Sequence, residues 1–412
     1  TSYDTTVIPG VDNSFPLTVG SSGLAADSVQ MSADPKDPGR FILSWTRDTG
    51  GNGWVDKSYA QIMTVVGYTV TMGPILDLTA SNFNHSKILF DPDNTSQALF
   101  ASTAPSVSIQ YLNITGDTLT IGNIESSTFS WYWVADVPTL TLLSSGSFLV
   151  TFNGWNTNAD YIRMIGGQRD SSGNIVWSTG FSSGGGSNDR HGIKASRIHG
   201  TDKVLLAYGR LPDNYLTTKI ATMSGSVLTE SIEYIHPTMK LNNNFSTLAT
   251  TSGNRFLVSV KALTTSDKLD LITGTVLGTA VTYTGHLANI TRNNARISIA
   301  ARIKFYPENP DRFDIVYRDS TNAWRTIWGS ISTLTAVGLY EPLEASPHSG
   351  SYTAVFPGRE YLEAIALYGE EEEFKLSLTR TTVNKTVKSC EVGAQAPSER
   401  DRAFCFQQSR DK

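Results

Sequence analysis

The stretch "GRFILSW", from Gly39 to Trp45, decides the fold because variants of it return along the chain. "GSFLVTF" (146–152) and "GNRFLVSV" (253–260) repeat it closely, and "DKVLLAY" (202–208) and "DRFDIVY" (311–317) repeat it more loosely. Each copy follows turn-forming residues and is rich in β-branched and aromatic side chains, which is the pattern of a β-strand. Several copies are apolar at nearly every position, so we expect this strand to be buried on both faces. The side chains expected between neighbouring sheets are Trp45, Phe152, Tyr208 and Tyr317.

The copies recur with a loose period. Seven pentamers match, and their starts are 57, 50, 56, 52, 57 and 51 residues apart. They begin at Phe41, Ala98, Phe148, Val204, Phe256, Phe313 and Ala364. A period of this length is typical of a repeat architecture in which each repeat forms one supersecondary unit.

The sequence around each copy predicts the rest of the unit. A short strand and a turn such as "ADPKDPG" (33–39) come before it, and a polar loop and an alternating strand such as "YAQIMTV" (59–65) come after it. With a weaker last strand, each unit has four short antiparallel strands, A to D. We therefore predict an all-β fold, a single seven-bladed β-propeller of four-stranded antiparallel blades. A tandem of β-sandwiches and a parallel β-solenoid are the alternatives.

The propeller is expected to span residues 1–388. Within it, "DTTVIPGV" (4–11) reads as a strand that pairs with the last blade near 374–380 and removes an open edge; a frayed arm is the alternative. Residues 389–412 lack the blade pattern and are expected to form a C-terminal tail. Cys390 and Cys405, the two cysteines of the chain, are expected to tie this tail with a disulfide, and two free thiols are the alternative.

The composition narrows the classes of partner. The chain has 412 residues, a net charge of -5 and no Lys/Arg-rich run, so no nucleic-acid partner is expected. No apolar run approaches the roughly 20 residues that span a bilayer, so no membrane span is expected. A chain that begins at Thr1 and is rich in Ser, Thr, Gly and Asn is expected to be a processed, secreted glycoprotein. Its candidate N-glycosylation sites are Asn84, Asn94, Asn113, Asn244, Asn289 and Asn384.

Two segments resemble known propeller repeats. "ADPKDPGRFILSWTRDTGGNG" (33–53) resembles the repeats of secreted β-propellers, in which a D-P turn leads into an apolar strand and then into an Asp/Asn/Gly loop. This resemblance implies the fold and an extracellular setting, and it assigns no catalytic residue. "RDSSGNIVW" (169–177) resembles the Asp-box turn of sialidases and sortilin-type propellers, with one residue of difference between Asp170 and Gly173. The resemblance implies a structural role for that turn.

The loops between strands B and C hold the candidate binding residues. Four of these loops combine Asp or Asn with one large aromatic side chain. An aromatic ring stacks on the apolar face of a pyranose, and amides and carboxylates hydrogen-bond to its hydroxyls. The predicted ligand-binding residues are Asp48, Asn52 and Trp54, then Asn153, Trp155 and Asn156, then Asp213, Asn214 and Tyr215, and finally Asp319, Asn322 and Trp324. The alternative is that the polar residues only form turns and the aromatics pack under their own loops.

Other chemistry is less well supported. The oxygen ligands of Asp48, Asn52 and Asp56 suit calcium but lack EF-hand spacing; otherwise no cofactor is expected. The six histidines show no metal-ligand spacing, and no H-E-x-x-H, G-x-S-x-G or P-loop motif occurs, so no catalytic residue is assigned. A sialidase would need several arginines near a tyrosine with an acidic partner. The arginines that follow B strands are Arg47, Arg210 and Arg318, for which solvated loop positions are the alternative.

These observations lead to one functional prediction and two alternatives. The prediction is a secreted, non-enzymatic propeller that binds a glycan or an extracellular protein through its B–C loops. The first alternative is a structural subunit of an extracellular assembly, with self-assembly through the tail or an edge blade. The second is a sialidase-like glycoside hydrolase.

Overall fold

In the computed structural model, the described residues are almost entirely in β-strands and turns. The described residues are 4–7, 17–18, 30–37, 39–47, 57–66, 69–78, 86–91, 94–102, 106–130, 133–134, 138–143, 146–156, 159–183, 193–210, 213–262, 269–288, 297–306, 309–319, 324–332, 335–340, 350–355, 360–368 and 373–384. Among them there is no helix that is long and apolar enough to cross a membrane. Cys390 and Cys405 lie outside these ranges, so the predicted disulfide and tail stay predictions.

The strands follow one another as antiparallel groups, called groups 1 to 7 in chain order. Two strands precede group 1, namely β1 (Asp4–Val7) and β2 (Leu17–Thr18). Group 1 contains β3 (Gln30–Ala33), β4 (Arg40–Arg47), β5 (Lys57–Val66), β6 (Thr69–Met72) and β7 (Leu76–Leu78). Group 2 contains β8 (Ser86–Phe90), β9 (Gln97–Ser102), β10 (Ser106–Thr115) and β11 (Thr118–Ser130). Group 3 contains β12 (Trp133–Val134), β13 (Thr139–Leu142), β14 (Ser147–Asn156), β15 (Ala159–Arg169), β16 (Ile175–Trp177) and β17 (Phe181–Ser183).

The second half of the chain continues the pattern. Group 4 contains β18 (Lys194–Arg197), β19 (Lys203–Arg210), β20 (Tyr215–Ser224) and β21 (Val227–Glu230). Group 5 contains β22 (Tyr234–Thr250), β23 (Arg255–Ala262), β24 (Leu269–Leu277) and β25 (Ala280–Leu287). Group 6 contains β26 (Ile297–Tyr306), β27 (Asn309–Asp319), β28 (Trp324–Ser330) and β29 (Thr335–Tyr340). Group 7 contains β30 (Gly350–Val355), β31 (Glu360–Tyr368) and β32 (Glu373–Asn384). Because β22 pairs with both β20 and β23, groups 4 and 5 form one eight-stranded sheet.

Strands β12 and β13 both pair with β14 and together form the split first strand of group 3. The seven repeated pentamers then all lie in the second strand of their own group. These strands are β4, β9, β14, β19, β23, β27 and β31. The first strands contact each other in chain order from β3 to β8, β13, β18, β22 and β26, and β30 contacts β3. Four-stranded antiparallel groups arranged in this order around their first strands are the architecture of a β-propeller. The all-β propeller prediction is therefore confirmed, while the number of blades in a closed ring stays a prediction.

The hydrophobic core lies between neighbouring groups. In β14, Phe148, Val150 and Phe152 pack in a cluster shared with group 2, whereas Leu149 packs in a cluster shared with group 4. In β19, Val204, Leu206 and Tyr208 face group 3, and Leu205 and Ala207 face group 5. Successive side chains of a strand point to opposite faces, so a strand that lies between two neighbours must be apolar at consecutive positions.

The expected buried aromatic residues can be checked in part. Phe152 and Tyr208 are 0% and 1% exposed, as the sequence predicts. Trp45 and Tyr317 lie in β4 and β27, but their side chains are outside the described part of the structure. Burial between two sheets is therefore confirmed for two of the four.

The outer strand of a group is the one that follows and pairs with its third strand. In groups 1 to 6 this outer strand is interrupted at the same position along the third strand. In groups 1, 3 and 4 it is split, and the residue that begins the link donates its N–H to the third strand. These donors and acceptors are Gly73 to Ile62 at 2.9 Å, Ser178 to Gly166 at 2.8 Å and Ser231 to Ile220 at 2.8 Å. In groups 2, 5 and 6 the ladder shifts register instead, opposite 110–112, 273–274 and 327–328. The second residue of each pentamer has a ladder partner on the third strand of its group. Each interruption of the outer strand lies at this partner or within one residue of it.

The N-terminal strand pairs with the last strand of the chain. Asp4–Val7 is antiparallel to Thr381–Asn384, and Leu17 and Thr18 pair with Phe374 and Glu373. The predicted partner of the N-terminal segment was 374–380, so the register of the pairing differs from the prediction. The domain limits of 1–388 and 389–412 stay predictions.

Neighbouring groups are joined at the end where the first strand turns into the second. At this end, the side chain of the first residue of a second strand forms a hydrogen bond or an ion pair with a residue of the next group. The contacts are Arg40 Nη2 to the Thr95 carbonyl at 3.2 Å, Arg169 Nη1 to Gln97 Oε1 at 2.7 Å, Lys203 Nζ to the Gly278 carbonyl at 3.0 Å, and an ion pair between Arg255 and Asp311. This A–B end is thus tied together by polar side chains.

Candidate functional site

The opposite end of each group, where the second strand turns into the third, is called the B–C end. In group 4, Arg210 ends β19 and is opposite Tyr215, which begins β20. The Arg210 guanidinium donates to both carboxylate oxygens of Asp213, at 3.4 Å from Nε and 2.7 Å from Nη2. This hydrogen-bonded pair raises the pKa of Arg210 and lowers the pKa of the Asp213 carboxyl. Asp213 is therefore a charged residue that orders the turn.

Asn214 has a turn-forming conformation. Its φ is 58°, a left-handed value that Asn tolerates better than most residues. Its carbonyl oxygen accepts the N–H of Leu241 at 2.9 Å, which links the turn to β22. Asp213 contacts Arg210 and Asn214 contacts β22, so both residues hold the turn that precedes Tyr215.

Lys240 lies against the Tyr215 ring. The two residues are opposite each other in the β20–β22 ladder, and Lys240 Nζ is 4.9 Å from the ring centre. An ammonium over an aromatic face is attracted by the quadrupole of the ring. One face of Tyr215 is therefore covered, and a ligand that stacks on this ring must use the other face. The sequence did not indicate Lys240, because it lies on a strand that crosses between two groups.

At the B–C end of group 3, two tryptophan positions are opposite each other in the ladder. Strand β14 runs to Asn156 and β15 starts at Ala159, so Asn153–Asn156 is part of a strand. The sequence analysis placed Asn153, Trp155 and Asn156 in a loop, and this placement is wrong, because the ladder continues to the pair Asn156–Ala159. Trp155 is opposite Trp133 of β12, and opposed residues of a ladder share one face of the sheet. Trp133 was missed because its partner follows only from the pairing of the split first strand.

The remaining candidates are described only in part. Asp319 ends β27 and Trp324 begins β28, where it is opposite Arg318. Only their backbone positions are described. Asp48, Asn52, Trp54, Asp56 and Asn322 lie outside the described residues, which leaves the calcium hypothesis and the first loop as predictions. Within the described ranges, no group of three metal-binding side chains occurs.

Tyr208 and Glu233 form a tyrosine–carboxylate pair of the kind that the sialidase-like alternative requires. Tyr208 donates its hydroxyl to Glu233 Oε1 at 2.8 Å, and both contribute to the raised pKa of Arg210. However, Tyr208 is 1% exposed in the core between groups 3 and 4. A buried phenol cannot attack a sugar in solvent, so the pair acts in packing. Arg47 and Arg318 lie at strand positions whose side chains are not described.

A polar cluster lies on strands β22, β24 and β25 of group 5. His286 Nε2 is 3.0 Å from Asp270 Oδ2, and Asp270 is fully buried. The His236 ring is 4.8 Å from Tyr283 and 6.4 Å from His286, measured between ring centres. The Tyr283 hydroxyl is 2.9 Å from the Tyr234 carbonyl oxygen, to which it donates. Burial lowers the pKa of His236, and the charge of His286 lowers it further.

One turn named from the sequence is seen in the structure. Asp170 Oδ1 accepts the N–H groups of Ser172 and Asn174 at 2.8 and 2.9 Å, and Gly173 has a φ of 88°. The segment that resembles an Asp-box is thus a self-contained turn between β15 and β16. Of the glycosylation candidates, Asn94 is exposed in a turn and Asn113 is exposed within β10. For Asn244 and Asn384 only a strand position is described, and Asn84 and Asn289 lie outside the described ranges.

Comparison with protein-family models and with curated proteins finds no match. Among solved structures, the BP39L lectin from Burkholderia pseudomallei is 9% identical, with a TM-score of 0.60 over 86% of this chain and 96% of the lectin. The periplasmic gluconolactonase PpgL from Pseudomonas aeruginosa is 11% identical, with a TM-score of 0.55 over 84% of this chain and all of that one (100%). The β-propeller domain of Cps50 (Swd1) from Myceliophteria thermophila is 10% identical, with a TM-score of 0.50 over 86% and 98%. At these identities the likeness shows that this chain shares the β-propeller fold.

Proposed function

We propose that this protein is a non-enzymatic binding propeller that recognises glycans through the B–C end of its groups. The observation that carries the proposal is the opposition of Trp133 and Trp155 at the B–C end of group 3. Residues that are opposite each other in a ladder share one face of the sheet, and tryptophan is a residue type that stacks on sugar rings.

The neighbouring group adds the polar part of such a site. At the same end of group 4, Tyr215 has one face covered by Lys240 and stands beside the Arg210–Asp213 pair. Hydroxyl groups of a sugar find donors on Arg210 and acceptors on Asp213. The similarity in fold to a propeller named as a lectin supports the proposal, because it shows that this architecture can hold sugars.

The test is glycan binding by single variants of the full chain. We expect a weak site with a Kd of about 1 mM, or about 4 kcal/mol, measured by calorimetry with oligosaccharides selected on a glycan array. Trp133→Ala and Trp155→Ala should each abolish measurable binding and leave the melting temperature nearly unchanged. If either variant unfolds, or if both bind as the parent does, the stacking surface is wrong.

Trp177→Ala is the matched control. Trp177 belongs to the same group but packs at its other end, edge-on to Phe148 with 5.6 Å between ring centres. Its loss should lower the melting temperature and leave glycan affinity of the folded protein intact. This contrast separates a ligand-contacting tryptophan from a packing tryptophan.

We further propose that the protein works outside the cell. The exposed turn at Asn94 and the pair Cys390–Cys405 support this setting, because N-glycans and disulfides form in the secretory pathway. Expression in a secreting eukaryotic host, followed by peptide mass spectrometry, should find a glycan on Asn94 and the two cysteines linked. Unmodified Asn94 together with two alkylated thiols would contradict the proposal.

A further inference from the structure

The His236 side chain holds the backbone of its own strand. Its Nδ1 atom accepts the N–H of Thr238 at 3.3 Å and the N–H of Met239 at 3.0 Å. The residue is 6% exposed. Only a neutral imidazole with a lone pair on Nδ1 can accept these bonds, so the ring proton is on Nε2. The geometry therefore fixes both the charge and the tautomer.

The segment held in this way is a bulge in the ladder that joins groups 4 and 5. Ile235 pairs with Thr217 and Lys240 pairs with Tyr215, so five steps on β22 face two steps on β20. Residues 236–239 therefore lie opposite the single residue Leu216, and the imidazole of the first of these four binds the N–H groups of the last two. Directly after them come Lys240, which covers the Tyr215 ring, and Leu241, whose N–H binds the Asn214 carbonyl.

Titratable groups lie on the strands that pack against His236; on β20 they are Tyr215 and Lys219, and Lys219 is ion-paired with Glu230. Tyr283 and His286 on β25 contact or approach its ring, and Asp270 on β24 faces it through His286. On its own strand the titratable neighbours are Tyr234, which donates its hydroxyl to the Thr279 carbonyl, and Lys240. Burial opposes protonation of His236 and lowers its pKa, and a charge on His286 acts in the same direction.

We propose that His236 is an acid-sensitive clasp that holds the 236–239 bulge and so positions Lys240 against Tyr215. Protonation of Nδ1 removes the lone pair and places an N–H against two backbone N–H groups. The clasp then opens, and the B–C end of group 4 loses its support from β22. The clasp is a property of the fold; only its effect on glycan affinity rests on the proposed function.

Amide hydrogen exchange of the full chain tests the clasp without any ligand. Protection factors of the Thr238 and Met239 amides, measured by NMR at about pH 7.5 and about pH 5, should fall roughly tenfold on acidification. In His236→Asn the side-chain oxygen accepts the same N–H groups and does not titrate, so protection should be equal at both pH values. Constant protection in the parent, or an equal fall in the variant, would overturn the proposal.

Two further measurements make the result decisive. His199→Asn, in the exposed turn between β18 and β19, should keep the acid response of the parent. If His236→Asn does not fold, the ring ¹⁵N shifts of the parent at neutral pH decide the matter: a proton on Nε2 supports the clasp, and one on Nδ1 refutes it. Calorimetry at both pH values then separates the claims. Exchange that responds to acid without any glycan binding refutes only the proposed function.

Discussion

The ring of Phe256 fills the space that a side chain at Gly274 would need. The two residues are opposite each other in the β23–β24 ladder, and a Cβ atom on Gly274 would lie 2.3 Å from Cζ of the ring and 2.5 Å from the Thr282 carbonyl oxygen. The same opposition of a first pentamer Phe to a third-strand Gly occurs twice more. Those pairs are Phe148–Gly167 and Phe313–Gly329. The glycine gives the ring room to reach the neighbouring group.

Gly274→Ala should therefore destabilise the protein by about 1–3 kcal/mol through overpacking. Urea denaturation measures the change. Gly253→Ala is the control, because the nearest heavy atoms to its Cβ would lie at 3.7 Å, an ordinary contact distance. We expect a change of about 0.5 kcal/mol or less there. Equal effects at the two positions would show that Phe256 yields easily.

The ion pair between Arg255 and Asp311 joins group 5 to group 6. Both side chains are partly exposed, at 29% and 40%, so the pair is expected to contribute only about 0.2–1 kcal/mol. A double-mutant cycle with Arg255→Met and Asp311→Asn isolates this coupling from the other contacts of Asp311. The coupling should shrink as salt is added. A coupling that salt leaves unchanged would point to a steric rather than an electrostatic contact.

Stability should decline in acid because of His236. Its pKa is lowered in the folded state, whereas in the unfolded chain a histidine takes up its proton near pH 6.5. Below about pH 6.5 the unfolded state therefore binds more protons than the folded state. The free energy of unfolding then decreases as the pH is lowered. Urea titrations over this range should show a shallower fall for His236→Asn than for the parent. Identical slopes would mean that other groups account for the acid effect.

Glycan binding should depend little on salt. Stacking on Trp133 and Trp155 involves no charge, and Arg210 is already paired with Asp213. The affinity for a neutral oligosaccharide should change by less than about twofold from low to high salt, since screening acts only on charges. A multivalent form of the same sugar should bind more tightly if several groups act together. A steep salt dependence would place charge pairing, and Lys240 with it, at the centre of recognition.

Reduction should release the tail and leave the sheets folded. Cys390 and Cys405 are 15 residues apart, and the described strands all lie before this loop. Closing such a loop stabilises only the segment within it, by about 3 kcal/mol. Limited proteolysis with and without reductant should show new cleavage after Asn384 and none within the groups. Cleavage inside the sheets on reduction would mean that the tail supports the propeller.

The repeat was readable from sequence because a strand buried on both faces must be apolar at consecutive positions. Phe148–Phe152 and Val204–Tyr208 show this in the clusters that they join. The candidate site was less readable. Lys240 reaches Tyr215 only because β22 crosses from one group to the next, and no local pattern encodes that crossing. Trp133 is likewise placed opposite Trp155 by a two-residue strand that is too short to recognise from sequence.

The interruptions of the outer strands affect whether two copies of this protein can pair through their sheet edges. A continuous outer strand would offer a long row of unpaired N–H and C=O groups, onto which a strand of another chain can add. In groups 1 and 3 the outer segments have only three or four residues, and the link between them turns its N–H inward to Gly166 or Ile62. Bulges at the same level twist the edges of groups 2, 5 and 6. The outer edges of these groups are therefore poor templates for fibril growth. Concentrated solutions of the native protein should stay clear and fail to seed thioflavin-positive aggregates.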